Sequence, residues 1–497
     1  MNLRERIGSQ MNLPKKAESY RSGIQLLALL SVGFAVIFFD TLEYLYPEME
    51  TFLERTYFII PCILFLCATL TQSLTAQAKR SFLLSAIAVL WFAAVQRHHQ
   101  LDQMGTDSIS LFAVVYLLAF PFAAVANDKT KSTGIKWLGE IYIAGALCLV
   151  LCAALLLLDM VPEILNSRIR WEGTRLNALW HPNIAACLFM IGIGCTLYFL
   201  VLTERRSEKI LLFLLAAIQF FGLSLTHCRT AVILTCVLCG GAVFFLRFGR
   251  SRKNFLADAA LALAVIVALF FFSQMLFDFH TEQMISQTAQ QAVSQLEEVS
   301  TPNLDKTHPS VPAEASPSTP VESSPMVSTT NEAGTDAHNV SNSPQGSLIH
   351  DIWTLNNRTI TWKAAFTAMR DNPAIRIWGT KNVRAEITYR SGLPVAHTHN
   401  SWIQAWMEVG TPGLLISLIY TVIALIRCAQ ILLGRKFAPD KKVIALMVLC
   451  IMAAGFLEPY LFIGGLSTVF ANFIFFFLTG YLNFWCSEQR AGKTTKV

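Results

Sequence analysis

His399 lies in Ala396-His397-Thr398-His399-Asn400-Ser401-Trp402, where a long polar stretch meets an apolar segment. Imidazole is the side chain whose ordinary pKa lets it give or take a proton near neutrality. At such a boundary it suits a general base acting on an alcohol. Arginines recur in comparable places: Arg175 in Gly173-Thr174-Arg175-Leu176, Arg229 in Leu225-Thr226-His227-Cys228-Arg229-Thr230-Ala231, and Arg358 in Asn357-Arg358-Thr359. A guanidinium presents five donors in a planar fork that matches phosphate oxygens, so these positions suit a lipid-linked phosphate or pyrophosphate. Arg168 and Arg170 read instead as anchors that snorkel to headgroups.

The elements that must hold these groups are membrane helices. The chain has 497 residues, 54% hydrophobic and 14% charged, with a mean hydropathy of +0.48. Soluble domains carry about 25% charge. A bilayer core of about 30 Å needs about 20 apolar residues per helix. Such windows lie near 23–46, 56–75, 81–96, 108–126, 137–158, 183–202, 210–226, 230–247, 255–277, 411–433, 443–457 and 466–486. The expected fold is therefore all-α: a polytopic membrane protein of about twelve transmembrane helices, with the first span retained and the eleventh short enough to tilt or re-enter.

Lys and Arg in short loops stay on the cytoplasmic side, and most of the 39 alternate in register with an inside start and an inside end. Both termini are expected in the cytoplasm of a cell bounded by this inner membrane. The stretches bearing Arg175, Arg229, Arg358 and His399 are expected outside. The net charge of +6 fits anchoring to anionic membrane lipids rather than nucleic-acid binding. Most cysteines fall inside apolar windows, where Cys packs as a small residue. Cys236-Val237-Leu238-Cys239 has no further ligand pair nearby, so neither a disulfide framework nor a metal site is expected.

The domain organisation follows as helices one to nine over 1–277, an extracytoplasmic loop over 278–410, and helices ten to twelve with a cytoplasmic tail over 411–497. Within the loop, residues 300–347 are rich in Ser, Thr, Pro and Asn and nearly free of aromatics. Such composition cannot bury enough apolar surface to offset its ordering entropy, so a disordered spacer is expected. Order should return over 350–410. Trp362, Ala365, Phe366 and Met369 share one face of a helix that Asn372-Pro373 ends.

These outward pieces together resemble the O-antigen ligase and polymerase superfamily. The resemblance is carried by Gly173-Thr174-Arg175-Leu176 with His181-Pro182-Asn183, Leu225-Thr226 with Arg229-Thr230-Ala231, Asn357-Arg358 with Trp362 and Asn372-Pro373, and His399-Asn400 with Glu408-Val409-Gly410 and Gly413-Leu414. It spans about residues 165–435. It implies a glycosyltransferase that moves a glycan from undecaprenyl diphosphate to an acceptor hydroxyl on the outer face of the cytoplasmic membrane, without metal or cofactor. The acceptor would be a glycan, a lipid or another hydroxyl compound.

By position, the resemblance makes His399 the catalytic histidine, Arg229 and Arg358 the residues acting on the diphosphate, and Arg175 a further basic group near the donor. His181 stands where a smaller or amide residue is more usual, leaving it between packing and acceptor contact. Asn400 and Glu408 are supporting candidates, Glu408 being too far along its helix to pair directly with His399. A ligase joining a finished glycan to a different acceptor and a polymerase joining repeat units share this chemistry. A transporter or flippase of lipid-linked sugars is a weaker reading, because the spans hold few charges in their middles.

Overall fold

Asparagine and histidine side chains open several of the helices by accepting orphan backbone N–H groups. Asn127 accepts from Thr130, His181 from Asn183, Asn372 from Ala374 and Ile375, Asn382 from Ala385, and Asn400 from Trp402 and Ile403. The computed structural model describes residues 3–45, 50–72, 74–99, 112–161, 170–172, 174–177, 181–248, 254–300, 358–393, 395, 397–434, 437–462 and 468–494.

The helices are α1 (Leu3–Leu45), α2 (Glu50–Leu70), α3 (Ala76–His99), a π segment (Val114–Ala119) leading to α4 (Phe122–Val125), and α5 (Asp128–Leu157). After the two-stranded antiparallel hairpin β1 (Arg170–Glu172) and β2 (Arg175–Asn177) come α6 (Pro182–Leu202), α7 (Arg206–Leu225), α8 (Arg229–Phe248) and α9 (Phe255–Ser300). The segment expected to lie outside supplies α10 (Arg358–Asp371), α11 (Pro373–Trp378) and α12 (Val383–Ser391). The chain closes with α13 (Ser401–Leu433), α14 (Pro439–Leu457) and α15 (Val469–Thr494).

Where they are described, the twelve expected windows fall mainly on helix, yet the count of twelve spans is not confirmed. Among the described residues, eight helices are long and apolar enough to cross a membrane: α1, α3, α5, α6, α7, α9, α13 and α15. The apolar stretches Phe58–Leu70, Val114–Val125 and Arg229–Phe245 are shorter. The eleventh window, α14, carries Asp440, Lys441 and Lys442 in its first turn and is buried along nearly its whole length against α6, α8, α13 and α15. It is a central packing element rather than a marginal one.

Residues 282–356 form a unit separate from the rest of the chain. Of that unit only 282–300, helical, are described, so the expected spacer over 300–347 falls almost wholly outside the described residues. The helix α9 runs on past its apolar part to Ser300 as a polar stretch.

Two apolar cores organise the larger unit. The main one runs through the bundle and includes Tyr116, Tyr142, Phe189, Tyr420 and Phe473. The second belongs to the outer segment: Ala364, Ala365, Ala368 and Met369 of α10 pack with Ile375, Val383, Ile387 and Met407. The buried face of α10 is thus rotated from the expected one. Trp362 is only half-buried and Phe366 is exposed, because the small Ala residues let α12 and α13 approach closely.

This second core is fastened to a break in α13. Val409 and Gly410 leave helical geometry, Gly410 at φ +69°, two residues before Pro412. Into the break run Ile377, Trp378 and Gly379. The Thr380 N–H donates to the Met407 carbonyl at 2.6 Å, Trp91 Nε1 donates to the Val409 carbonyl at 2.9 Å, and the Trp91 and Trp378 rings stack at 5.3 Å. A β-carbon on Gly410 would lie 1.9 Å from the Ile377 oxygen, whereas one on Gly392, also left-handed at φ +70°, would meet nothing within 4 Å. Gly392→Ala is therefore expected to cost only the left-handed penalty of about 1–2 kcal/mol. Gly410→Ala should prevent the outer segment from docking, seen as early proteolysis within 372–400 and a lower melting temperature. Equal melting of the two variants would remove the break as the fastening point.

Candidate active site

The loop between α12 and α13 places His399 through backbone constraint. His399 adopts φ +52°, a left-handed conformation that costs a non-glycine residue on the order of 1 kcal/mol and is held only where its surroundings fix it. Those surroundings are specific. The Thr398 N–H donates to Gln404 Oε1 at 2.9 Å, Thr398 Oγ1 donates to the Asn400 carbonyl at 2.9 Å, and Trp362 Nε1 donates to the Thr398 carbonyl at 2.8 Å. Asn400 caps α13 and also donates from Nδ2 to the Phe456 carbonyl at 3.0 Å, tying the loop to the end of α14. Glu408 accepts from Gln404 Nε2, so it braces the residue that holds Thr398 and reaches His399 only through that relay.

What His399 faces is Glu458, the residue that ends α14 immediately before Pro459. Its side chain is 5% exposed. Oε2 lies 3.3 Å from His399 Nδ1, while Oε1 accepts from Arg358 Nη2 at 2.9 Å and from Asn183 Nδ2 at 3.0 Å. The Glu458 carbonyl accepts from Ser401 Oγ at 3.0 Å, fixing the backbone. Burial raises the pKa of this carboxyl, but the hydrogen bond and charge of His399 and the charge of Arg358 outweigh burial and hold it below the usual carboxylate range. An ionised carboxylate only accepts, so His399 Nδ1 must donate to it, leaving Nε2 as the ring's basic nitrogen.

The other expected residues sit around this centre. Arg175 donates from Nη2 to Asn183 Oδ1 at 2.9 Å and from Nε to the Thr226 carbonyl at 3.2 Å, so it reaches Glu458 through one amide. His181 caps α6, its Nδ1 accepting from the Asn183 N–H at 3.1 Å, and burial lowers its pKa. This orients Asn183, whose carbonyl also accepts from Tyr460 at 2.7 Å. His397 Nδ1 accepts from the His399 N–H at 3.4 Å, and burial first, with His399 second, brings its pKa to about 4. Neutral near pH 7, it shapes the loop without adding charge.

Arg229 is placed differently. It opens α8 and is exposed, lining a cleft with Ser224, His227, Ser273, Gln274 and Phe277. Its charge acts on His227, another left-handed histidine at φ +52°, whose pKa falls to about 3 through burial first and then His280, Arg175 and Arg229. Of the anchor candidates, Arg170 is exposed on β1 and Arg168 lies outside the described residues.

Glu458 and Asn183 were absent from the candidate site residues read from the sequence. The signal for Glu458 was an acidic residue at the outer end of an apolar helix, next to a proline. Nitrogen and oxygen atoms of His397, His399 and Glu458 also lie within 4.8 Å of one another, near enough for one cation. The same carboxylate is engaged by a guanidinium, whose charge opposes that use.

No curated protein matches the chain. Residues 211–418 match the family described as O-antigen ligase, a stretch containing Arg229, Arg358, His399, Asn400 and Glu408. That match covers the histidine and two of the arginines that carried the resemblance, and it supports the likeness of this part of the chain to the O-antigen ligase superfamily.

Proposed function

We propose that the chain is a lipid-donor glycosyltransferase that moves a glycan from undecaprenyl diphosphate to an acceptor hydroxyl on the outer face of the cytoplasmic membrane. The observation that carries this reading is the buried Glu458 carboxylate shared by His399 and Arg358. It is a carboxylate–imidazole pair set against a cationic cluster, the combination that transfer from a diphosphate needs. His399 Nε2 takes the proton of the acceptor hydroxyl while its oxygen attacks the anomeric carbon. The bond from that carbon to the diphosphate oxygen breaks, and the lipid diphosphate leaves with the bonding pair. Charge growing on that leaving group is neutralised by Arg229 and Arg358, with Arg175 behind them. Glu458 in turn steadies the imidazolium. No metal takes part in these steps.

The acceptor decides between the two forms of this chemistry. A finished glycan passed to a different acceptor makes the chain a ligase, the reading we favour; repeat units passed to one another make it a polymerase. The purified chain in lipid nanodiscs, given undecaprenyl diphosphate-linked glycan and a hydroxyl acceptor, should release one lipid diphosphate per glycan transferred. Transfer from a nucleotide sugar but not from the lipid-linked donor would sink the proposal.

Arg229 tests the role of the fork. Arg229→Lys keeps the charge but cannot reproduce two parallel N–H donors, so transfer should fall roughly tenfold to a hundredfold with expression unchanged. Full activity in the Lys variant would reduce Arg229 to a headgroup anchor.

A further inference from the structure

The outward face of α10 is the feature that the transfer chemistry leaves unused. Its inner face, Thr361, Ala364, Ala365, Ala368 and Met369, is consumed by packing on α12 and α13. Outward it presents Thr359, Trp362, Lys363, Phe366, Thr367 and Arg370, which line an open groove of about 460 Å³. Two aromatic rings lie one helical turn apart, flanked by two hydroxyls and two cations. The Phe366 side of the groove continues to Trp406, with ring centroids 5.7 Å apart.

The helix that carries the groove is tied to the candidate active site at its first turn. Arg358, which opens α10, bonds Glu458 at 2.9 Å, and Trp362, one turn on, donates to the Thr398 carbonyl next to His399. An amphipathic helix that lay on the bilayer would keep its apolar stripe for lipid. Here that stripe is spent on protein, and what remains is a mixed surface of ring faces, hydroxyls and positive charge. Ring faces are negative and attract the polarised C–H bonds of a pyranose. Lys363 and Arg370 complement an acidic substituent. Arg370 is partly balanced by Asp371 at 2.9 Å, so Lys363 is the stronger lure for an anion.

We infer that this face of α10 is the docking platform for the acceptor, and that the acceptor is a saccharide bearing carboxylate or phosphate groups. The inference rests on the proposed glycosyl transfer only in calling the ligand an acceptor. Binding is measured without turnover, so the two ideas fail separately.

The probes are trigalacturonate as the acidic saccharide and maltotriose as the neutral one, each titrated against the full chain in detergent by saturation-transfer NMR. Trigalacturonate should bind the parent more tightly than maltotriose does. Phe366→Ala should weaken trigalacturonate by about fivefold, the scale of one aromatic contact. Lys363→Gln should erase the preference for the acidic sugar, and His399→Ala should bind as the parent does. No binding by the parent, or unchanged binding in Phe366→Ala, overturns the inference. Two other occupants are separable. Quenching of the Trp362 fluorescence by brominated lipid, read as the difference between parent and Trp362→Phe, would give the face to the membrane. A change of oligomeric mass on Phe366→Ala would give it to a second copy. Either result overturns the proposal.

Discussion

Glu458→Gln should lower glycan transfer by about a hundredfold or more while the protein still folds, and Glu458→Ala should in addition cost about 3–5 kcal/mol of stability. The two variants separate two duties of one buried side chain. As a carboxylate it accepts from His399 Nδ1 at 3.3 Å and from Arg358 and Asn183 at 2.9 and 3.0 Å. A glutamine fills the same space and keeps one accepting oxygen for Arg358, but offers His399 an N–H where it needs an acceptor. The imidazole then turns or takes its other tautomer, and Nε2 ceases to be the basic nitrogen. Alanine removes the anion altogether and leaves Arg358, whose buried Nε has no partner among the described residues, with an uncompensated charge.

The dependence on pH has a definite sign. Because its folded pKa is depressed, Glu458 contributes stability above the ordinary carboxylate range and loses it as pH falls through the lowered value. Glu458→Gln should flatten that acid limb in a melting profile. Transfer activity and acid unfolding that both match the parent would leave the carboxylate no role.

The parts of this site that the sequence made legible are those lying close together along the chain. His399-Asn400 before a span and Arg358 at the start of a helix are local signals, and the charge alternation is what leads both to be expected on the outer side. Glu458 is 59 residues from His399, 100 from Arg358 and 275 from Asn183. A lone Glu before Pro reads as the end of a helix, and only the packing of α14 between α6 and α13 gives it these partners. Asn183 was legible as part of His181-Pro182-Asn183, but its use as a bridge from Arg175 to Glu458 depends on that same packing.

The helix boundaries tell a related story. Hydropathy located every apolar segment, yet it began the tenth span at 411, where Gly410 and Pro412 punctuate the sequence. In the structure α13 starts at Ser401 because Asn400 caps it, and the punctuation marks an internal break that receives the backbone of Ile377 and Trp378. Gly379 and Gly410 are far apart in sequence, so their close approach has no local signature. Likewise α10 was expected from its periodicity, but which face it buries was decided by where α12 and Met407 stand, which periodicity does not report.

The mechanism itself is tested at His399. His399→Ala should reduce transfer by about 10²–10⁴-fold, the usual contribution of a general base, while binding of the lipid-linked donor through Arg229 and Arg358 persists. The alanine keeps the loop bonds made by Thr398 and Asn400 and carries the same left-handed backbone cost that the histidine already bears, so expression should match the parent. His397→Ala should be milder. His397 is neutral near pH 7 and touches His399 through the 3.4 Å contact to its N–H and an edge-to-face ring contact at 4.2 Å, so its loss loosens the loop without removing the proton acceptor. The comparison is made on purified variants with lipid-linked donor, by the glycan transferred at matched protein concentration and, separately, by donor retained in a pull-down. If His399→Ala transfers at the parental rate, the base lies elsewhere. His181, which feels the charges of both Glu458 and His399 from the cap of α6, is then the next residue to replace.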